Sequence, residues 1–172
     1  MSRLDELLRE LPEAAKDVRL NAQAVMQQGA LSAAQRHGAA VACALTLRDA
    51  DLAAAVLADA AAAGVGDGVI DDARAAAAIM GMNNVYYRFR HMIGKEAYAR
   101  KPARLRMQRL AQPKTSKVDL ELFSLAVSAV TGCETCVRAH EQAVVEGGLT
   151  DEHVHDAVRL AAVLHAAAIA RI

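Results

Sequence analysis

Alanine occupies 40 of the 172 positions, and this more than any other feature limits what the chain can fold into. Alanine is the strongest helix former, whereas strands draw on the branched and aromatic residues that are scarce here. Aromatic residues make up 3% of the sequence and Trp is absent. The expectation is an all-α fold in which small side chains let helices pack closely. The length suits one compact multi-helix domain spanning residues 1–172.

Apolar periodicity and stop signals divide the chain into helices. Leu4, Leu7, Leu8 and Leu11 form one stripe, ended by Pro12. Helices are expected from about Ser32 to Thr46, with Ser32 as cap, and from Asp49 to Ala63. The Gly64–Gly68 stretch reads as a loop. A further helix runs from Ile70 to about Ile93, with an interruption at Gly81. Residues 94–117, with Pro102, Pro113 and many bases, read as a short helix plus connections. Toward the C-terminus, Ser116/Asp119 and Thr131/Glu134 have capping-box spacing. They predict helices from Lys117 to Val130 and from Cys133 to Glu146, with a turn at Thr131-Gly132. Gly147-Gly148 ends the second helix and Thr150 caps a last one. Ile79–Val85 faintly repeats Val130–Cys136 at an offset of 51 residues, as an internal duplication would.

The 20 basic and 20 acidic side chains balance. A balanced chain lacks the net positive field of a nucleic-acid or anionic-membrane binder. No apolar run reaches the roughly 18 residues of a membrane span, and the charged opening does not read as a secretory signal. A cytoplasmic location is expected. With three cysteines in such a chain, a close pair points to catalysis or metal binding rather than a disulfide framework.

Cys133 and Cys136 are that pair. Positions three apart share a helix face, close enough for the sulfurs to bond after a small adjustment. With Thr131 as N-cap, Cys133 would sit in the first turn, where free amides and the helix dipole stabilise a thiolate. His140 lies on the same face, four residues past Cys136, where an imidazole can take a thiol proton. Glu121 is the expected orienting acid, because an antiparallel helix pair would bring it back beside His140. Glu134 is assigned to capping, and Glu141 points about 100° away around the helix. The alternatives are half a zinc site and a pair of inert core thiols. A haem site is excluded by Val137, which stands where His is required. Cys43 reads as a core residue, as do Met80 and Met82.

The stretch Glu-x11-Cys-x2-Cys-x3-His, from Glu121 to His140, closely resembles the alkylhydroperoxidase D family of the carboxymuconolactone decarboxylase-like superfamily. Leu11–Asn21, Ala78–Arg88 and Leu105-Arg106-Met107 are similar to that family as well. The resemblance implies an all-helical homotrimer that acts as a lipoyl-dependent peroxidase. It also implies a reductant for the peroxiredoxin alkyl hydroperoxide reductase C. No bound cofactor or metal is implied; electrons would come from dihydrolipoamide carried on a lipoylated dihydrolipoyl acyltransferase. Carried over by position, Cys136 matches the cysteine oxidised to sulfenic acid. Cys133 matches the proton donor that then resolves the sulfenate as a disulfide. His140 matches the general base, with Glu121 in its proton relay. The helix dipole, by contrast, favours Cys133 as the more acidic thiol. Thr135 departs from a family pattern with a second histidine between the cysteines. Two rival readings are a dithiol reductase for a protein partner without direct peroxidase activity, and a redox-switched helical binding module.

Overall fold

The computed structural model describes residues 1–172, and its regular structure is entirely helical. In chain order the helices are α1 (Arg3–Leu8), α2 (Lys16–Gln27), α3 (Ala33–Leu47), α4 (Ala50–Ala62), α5 (Asp67–Ile93), α6 (Glu96–Ala99), α7 (Lys117–Thr131), α8 (Glu134–Glu146) and α9 (Asp151–Ala170). Short 3₁₀ turns occur at Glu13–Ala15 and Gln108–Ala111. None of the helices is long and apolar enough to cross a membrane.

Two helices form the centre. Residues Gly38–Ala44 of α3 and Leu122–Ser128 of α7 are buried without a break. A helix buried all round must be apolar and slim on every face, which the alanines of α3 provide. Gly38 takes this furthest: a Cβ there would stand 2.2 Å from Cζ of the buried Phe123. The polar residues of α7 are accommodated internally. Ser124 Oγ donates to the Leu120 carbonyl at 2.8 Å, as a helix-buried hydroxyl must when no water reaches it.

Local capping set most helix starts. Ser32 and Gln35 complete a capping box at α3, and Thr150 and His153 complete one at α9. At α7 only half the expected box forms: Ser116 accepts from the Asp119 amide, while the Asp119 carboxylate takes a hydrogen bond from Gln35 Nε2 at 2.8 Å.

Other elements depart from the sequence reading. Helix α5 starts at Asp67, inside the expected loop, and runs 27 residues without interruption at Gly81. A lone glycine costs a helix only about 1 kcal/mol. Helix α2, amphipathic but without a clear start signal, was not anticipated. The two segments of the faint repeat follow different courses: 79–85 lies inside α5, whereas 130–136 crosses from α7 to α8.

Residues 94–116 return along α5 as a strap anchored on Asp72. That fully buried carboxylate accepts from the amides of Lys114 (2.9 Å) and Thr115 (2.9 Å), the Thr115 hydroxyl (2.7 Å) and Arg109 Nη2 (2.6 Å). Burial alone would favour the neutral acid. The Lys114 amide, the Thr115 hydroxyl and the Arg109 guanidinium nevertheless hold the carboxyl below its ordinary range.

Candidate active site

The turn from α7 into α8 places the cysteines, and it falls differently from the capping-box expectation. Thr131 is the last residue of α7, not the N-cap of α8. Gly132 takes a left-handed conformation (φ 67°) to end α7, and Cys133 itself is the N-cap of α8. Long-range contacts decide the matter. The Thr131 hydroxyl donates back to the Val127 carbonyl at 3.1 Å and accepts from Asn84 Nδ2 of α5 at 2.8 Å. Arg88 of α5 donates to the Thr131 carbonyl. With its hydroxyl so engaged, Thr131 is not available to cap α8. Glu134 does not cap either; its carboxylate pairs with Arg138 at 3.0 Å and His91 at 3.3 Å.

Cys133 and Cys136 are joined by a disulfide, with their Cα atoms 5.3 Å apart. At the N-cap, Cys133 faces the first-turn amides of α8, which have no carbonyl partners within the helix. Upon reduction, those amides and the positive end of the helix can stabilise a thiolate. The two sulfurs differ in access. Cys133 is fully buried, whereas Cys136 is 7% exposed and opens into a recess of about 210 Å³. Met80, Asn83 and Tyr87 of α5 line one side, and Thr135, Cys136 and His140 of α8 line the other.

The antiparallel packing of α7 and α8 brings Glu121 and His140 together. Glu121 Oε2 lies 2.6 Å from His140 Nδ1, with both side chains largely shielded from solvent. On its other side His140 Nε2 lies 3.2 Å from Met80 Sδ. A thioether has no proton to give, so this contact is a hydrogen bond only when Nε2 carries hydrogen. With Nδ1 against Glu121, Nε2 is the ring nitrogen left to exchange a proton in the recess that His140 shares with Cys136, and it lies there against Met80 Sδ. A carboxylate–imidazole–thiol set of this kind can move a proton off sulfur.

The remaining candidates of the sequence sort clearly. Cys43 is buried in α3, and burial pushes its thiol up to about 12, which leaves it unreactive. Met80 is a core residue as expected, yet it also touches the imidazole; Met82 is half-buried. A larger hollow of about 520 Å³ is built by α1, α2 and α4 with His37 of α3, and contains no cysteine. Asn83, Asn84 and Arg88 fall within the family-like stretch Ala78–Arg88, but the sequence gives them no role. Two adjacent asparagines in mid-helix were the available signal, because poor helix formers at buried positions usually have hydrogen-bonding work to do.

Comparison with known proteins settles the family. The model of the carboxymuconolactone decarboxylase family matches residues 96–171. Over 169 residues the chain is 64% identical to the alkyl hydroperoxide reductase AhpD of Anaeromyxobacter sp. (strain K), covering 98% of this chain and 90% of that one. The chain belongs to the AhpD family. A protein of the same name from Methylobacterium sp. (strain 4-46) is 48% identical over 167 residues, 97% of this chain and 94% of the relative. The AhpD of Brucella suis (strain ATCC 23445 / NCTC 10510) is 46% identical over 167 residues, covering 97% and 95%. The matches to AhpD relatives span the helical scaffold from α1 to α9, so the likeness is not confined to the cysteine motif.

Proposed function

We propose that this member of the AhpD family is an antioxidant thiol peroxidase that reduces organic hydroperoxides through the Cys133–Cys136 pair. The observation that carries the reading is the shared recess. One sulfur of a dithiol pair opens into a small hollow beside an imidazole already oriented by a carboxylate at 2.6 Å. The name alkyl hydroperoxide reductase borne by its relatives supports the same chemistry.

In the cycle, His140 takes the Cys136 proton while Glu121 stabilises the imidazolium. The thiolate attacks the peroxide oxygen; the O–O bond breaks and the alkoxide leaves as alcohol, protonated by His140 or Cys133. The Cys133 sulfur then displaces hydroxide from the Cys136 sulfenic acid, forming the disulfide and water. A dithiol plus one hydroperoxide thus gives a disulfide, one alcohol and one water. The greater exposure of Cys136 supports its role as the attacking sulfur over Cys133, although the helix start favours a Cys133 thiolate. Burial of Cys133 suits a resolving group that must meet only its neighbour.

Dihydrolipoamide, borne by a lipoylated dihydrolipoyl acyltransferase, is the proposed reductant, restoring the dithiol by thiol–disulfide exchange. A peroxiredoxin of the alkyl hydroperoxide reductase C type is the proposed protein partner, and a cytoplasmic homotrimer the proposed working form. The test is consumption of cumene hydroperoxide with dihydrolipoamide, with and without the peroxiredoxin. The reading requires turnover by this protein alone; turnover only with the peroxiredoxin would reduce it to a dithiol reductase. Trapping after peroxide tests the division of labour. Cys133→Ser should accumulate sulfenic acid on Cys136, and sulfenate on Cys133 in Cys136→Ser would reverse the assignment.

A further inference from the structure

Overall neutrality conceals a strong separation of charge. Residues 86–117 carry ten of the 20 Lys and Arg but only one acid, Glu96, a net charge of +9. The rest of the chain carries ten cations against nineteen acids, a net charge of −9. Part of the basic segment is absorbed structurally. Arg88 and Arg90 donate to backbone carbonyls, Arg100 pairs with Glu96, and Arg109 pairs with Asp71 and Asp72. Lys95, Lys101, Arg104, Arg106, Lys114 and Lys117 are exposed and form no ion pair.

This basic strap passes beside the recess. Met107 Sδ accepts from Asn83 Nδ2 at 3.0 Å, and Asn83 lines the hollow into which Cys136 opens. Burial alternates along the strap: Ala103, Leu105 and Met107 are half-buried, while Arg104 and Arg106 between them are exposed. The inward residues seat the strap on α5 and the outward ones are cationic. Nearby, the exposed Phe89 ring meets Tyr98 edge-on at 5.4 Å, giving the surface an aromatic element. Arginine and aromatic side chains together are the residue types that anchor protein interfaces.

Access to sulfur restricts what can dock there. With Cys133 fully buried and Cys136 7% exposed in a hollow of about 210 Å³, a donor thiol reaches the sulfurs only on a slender segment that projects from its parent surface. A slender arm can enter while the body that bears it stays on the rim. We propose that the strap, centred on Arg104 and Arg106, docks an acidic carrier domain that delivers a dithiol into the recess on a flexible arm. The inference rests on the dithiol-dependent reading above. The exchange is balanced by the carrier alone: one carrier thiolate attacks the disulfide, and the second displaces the resulting mixed disulfide. Two electrons and two protons pass to Cys133 and Cys136, and the carrier leaves as its own disulfide.

The test compares free dihydrolipoamide with a purified lipoylated domain of a dihydrolipoyl acyltransferase of net negative charge. The variants are R104E/R106E and, as a control outside the strap, Arg9→Glu. Charge reversal at the rim should raise KM for the domain at least about tenfold, with free dihydrolipoamide unchanged within about twofold. Arg9→Glu should change neither. Raising salt from about 20 to about 300 mM should weaken use of the domain by the unaltered protein but not use of the free donor. Equal use of the domain by protein and double variant would overturn the proposal. So would an altered sedimentation coefficient in R104E/R106E, which would assign the strap to contacts between copies. Calorimetric titration with the domain decides docking even without turnover: a dissociation constant unmoved by R104E/R106E refutes it. Failure of both donors in the assay, with binding intact, would instead strike the peroxidase reading.

Discussion

Replacing Glu121 by Gln isolates the charge of the proposed proton relay from its shape. Glutamine can still accept from His140 Nδ1–H through its carbonyl oxygen, so the tautomer protonated on Nδ1 is preserved. What is lost is the negative charge 2.6 Å from an imidazole that becomes cationic when it takes the thiol proton. A hydrogen bond between charged partners is worth about 1.5–3 kcal/mol and a neutral one about 0.5–1.5, so the transition state loses about 1–2 kcal/mol. At about 1.4 kcal/mol per factor of ten, the rate should fall about 5- to 30-fold. The side chains are 19% and 14% exposed, shielded enough for the charge to act but without the cost of a wholly dry pair. The direct assay is the rate of sulfenic acid formation on Cys136 in a single turnover, with Cys133→Ser as background, followed by quench and mass spectrometry. A thermal melt matching the parent would confirm an intact fold. If Glu121 acts only through His140, Glu121→Gln should add little to the effect of His140→Asn. Rates within twofold of the parent, or full additivity of the two substitutions, would refute the relay.

Three further perturbations probe the scaffold. Asp72→Asn should cost about 2–3 kcal/mol at pH 7, or about 5–10 °C in Tm, because one buried carboxylate gathers four groups of the strap. Its folded pKa lies below the unfolded value of about 3.9, so this stability is fully present above that value. It is lost as pH falls through the folded pKa; a deficit in melting temperature undiminished at pH 3 would contradict the assignment. Gly38→Ala should destabilise by about 1–2 kcal/mol despite its better helix propensity, because the new methyl meets the Phe123 ring at 2.2 Å. Gly81→Ala should instead stabilise by about 0.5–1 kcal/mol, since a Cβ there meets nothing within 4 Å. Urea denaturation showing the same sign at both glycines would contradict the packing account.

How much was legible in the sequence depended on how local the deciding interaction is. The helical class followed from alanine, because propensity acts within each residue. Ser32 and Thr150 announced their helices because a cap bonds only two or three residues away. The shared face of Cys133, Cys136 and His140 followed from spacings of three, four and seven. Even Glu121 was within reach, since a tight turn between two helices leaves them little choice but to fold back antiparallel.

Tertiary structure decided the rest, and it did so wherever two local solutions were close in energy. Thr131 had the chemistry to cap α8 or to close α7, and Asn84 and Arg88, 47 and 43 residues earlier, settled the choice. The dithiol therefore begins two positions earlier in its helix than the Thr131 cap implied, with Cys133 itself at the cap. That Met80 would meet His140, 60 residues on, could not be read from either neighbourhood. Nor could the path of the basic strap, fixed by Asp72 about 40 residues before it. Local rules specify which elements form; contacts between distant residues specify which groups face each other, and here those contacts determine how the sulfurs are reached.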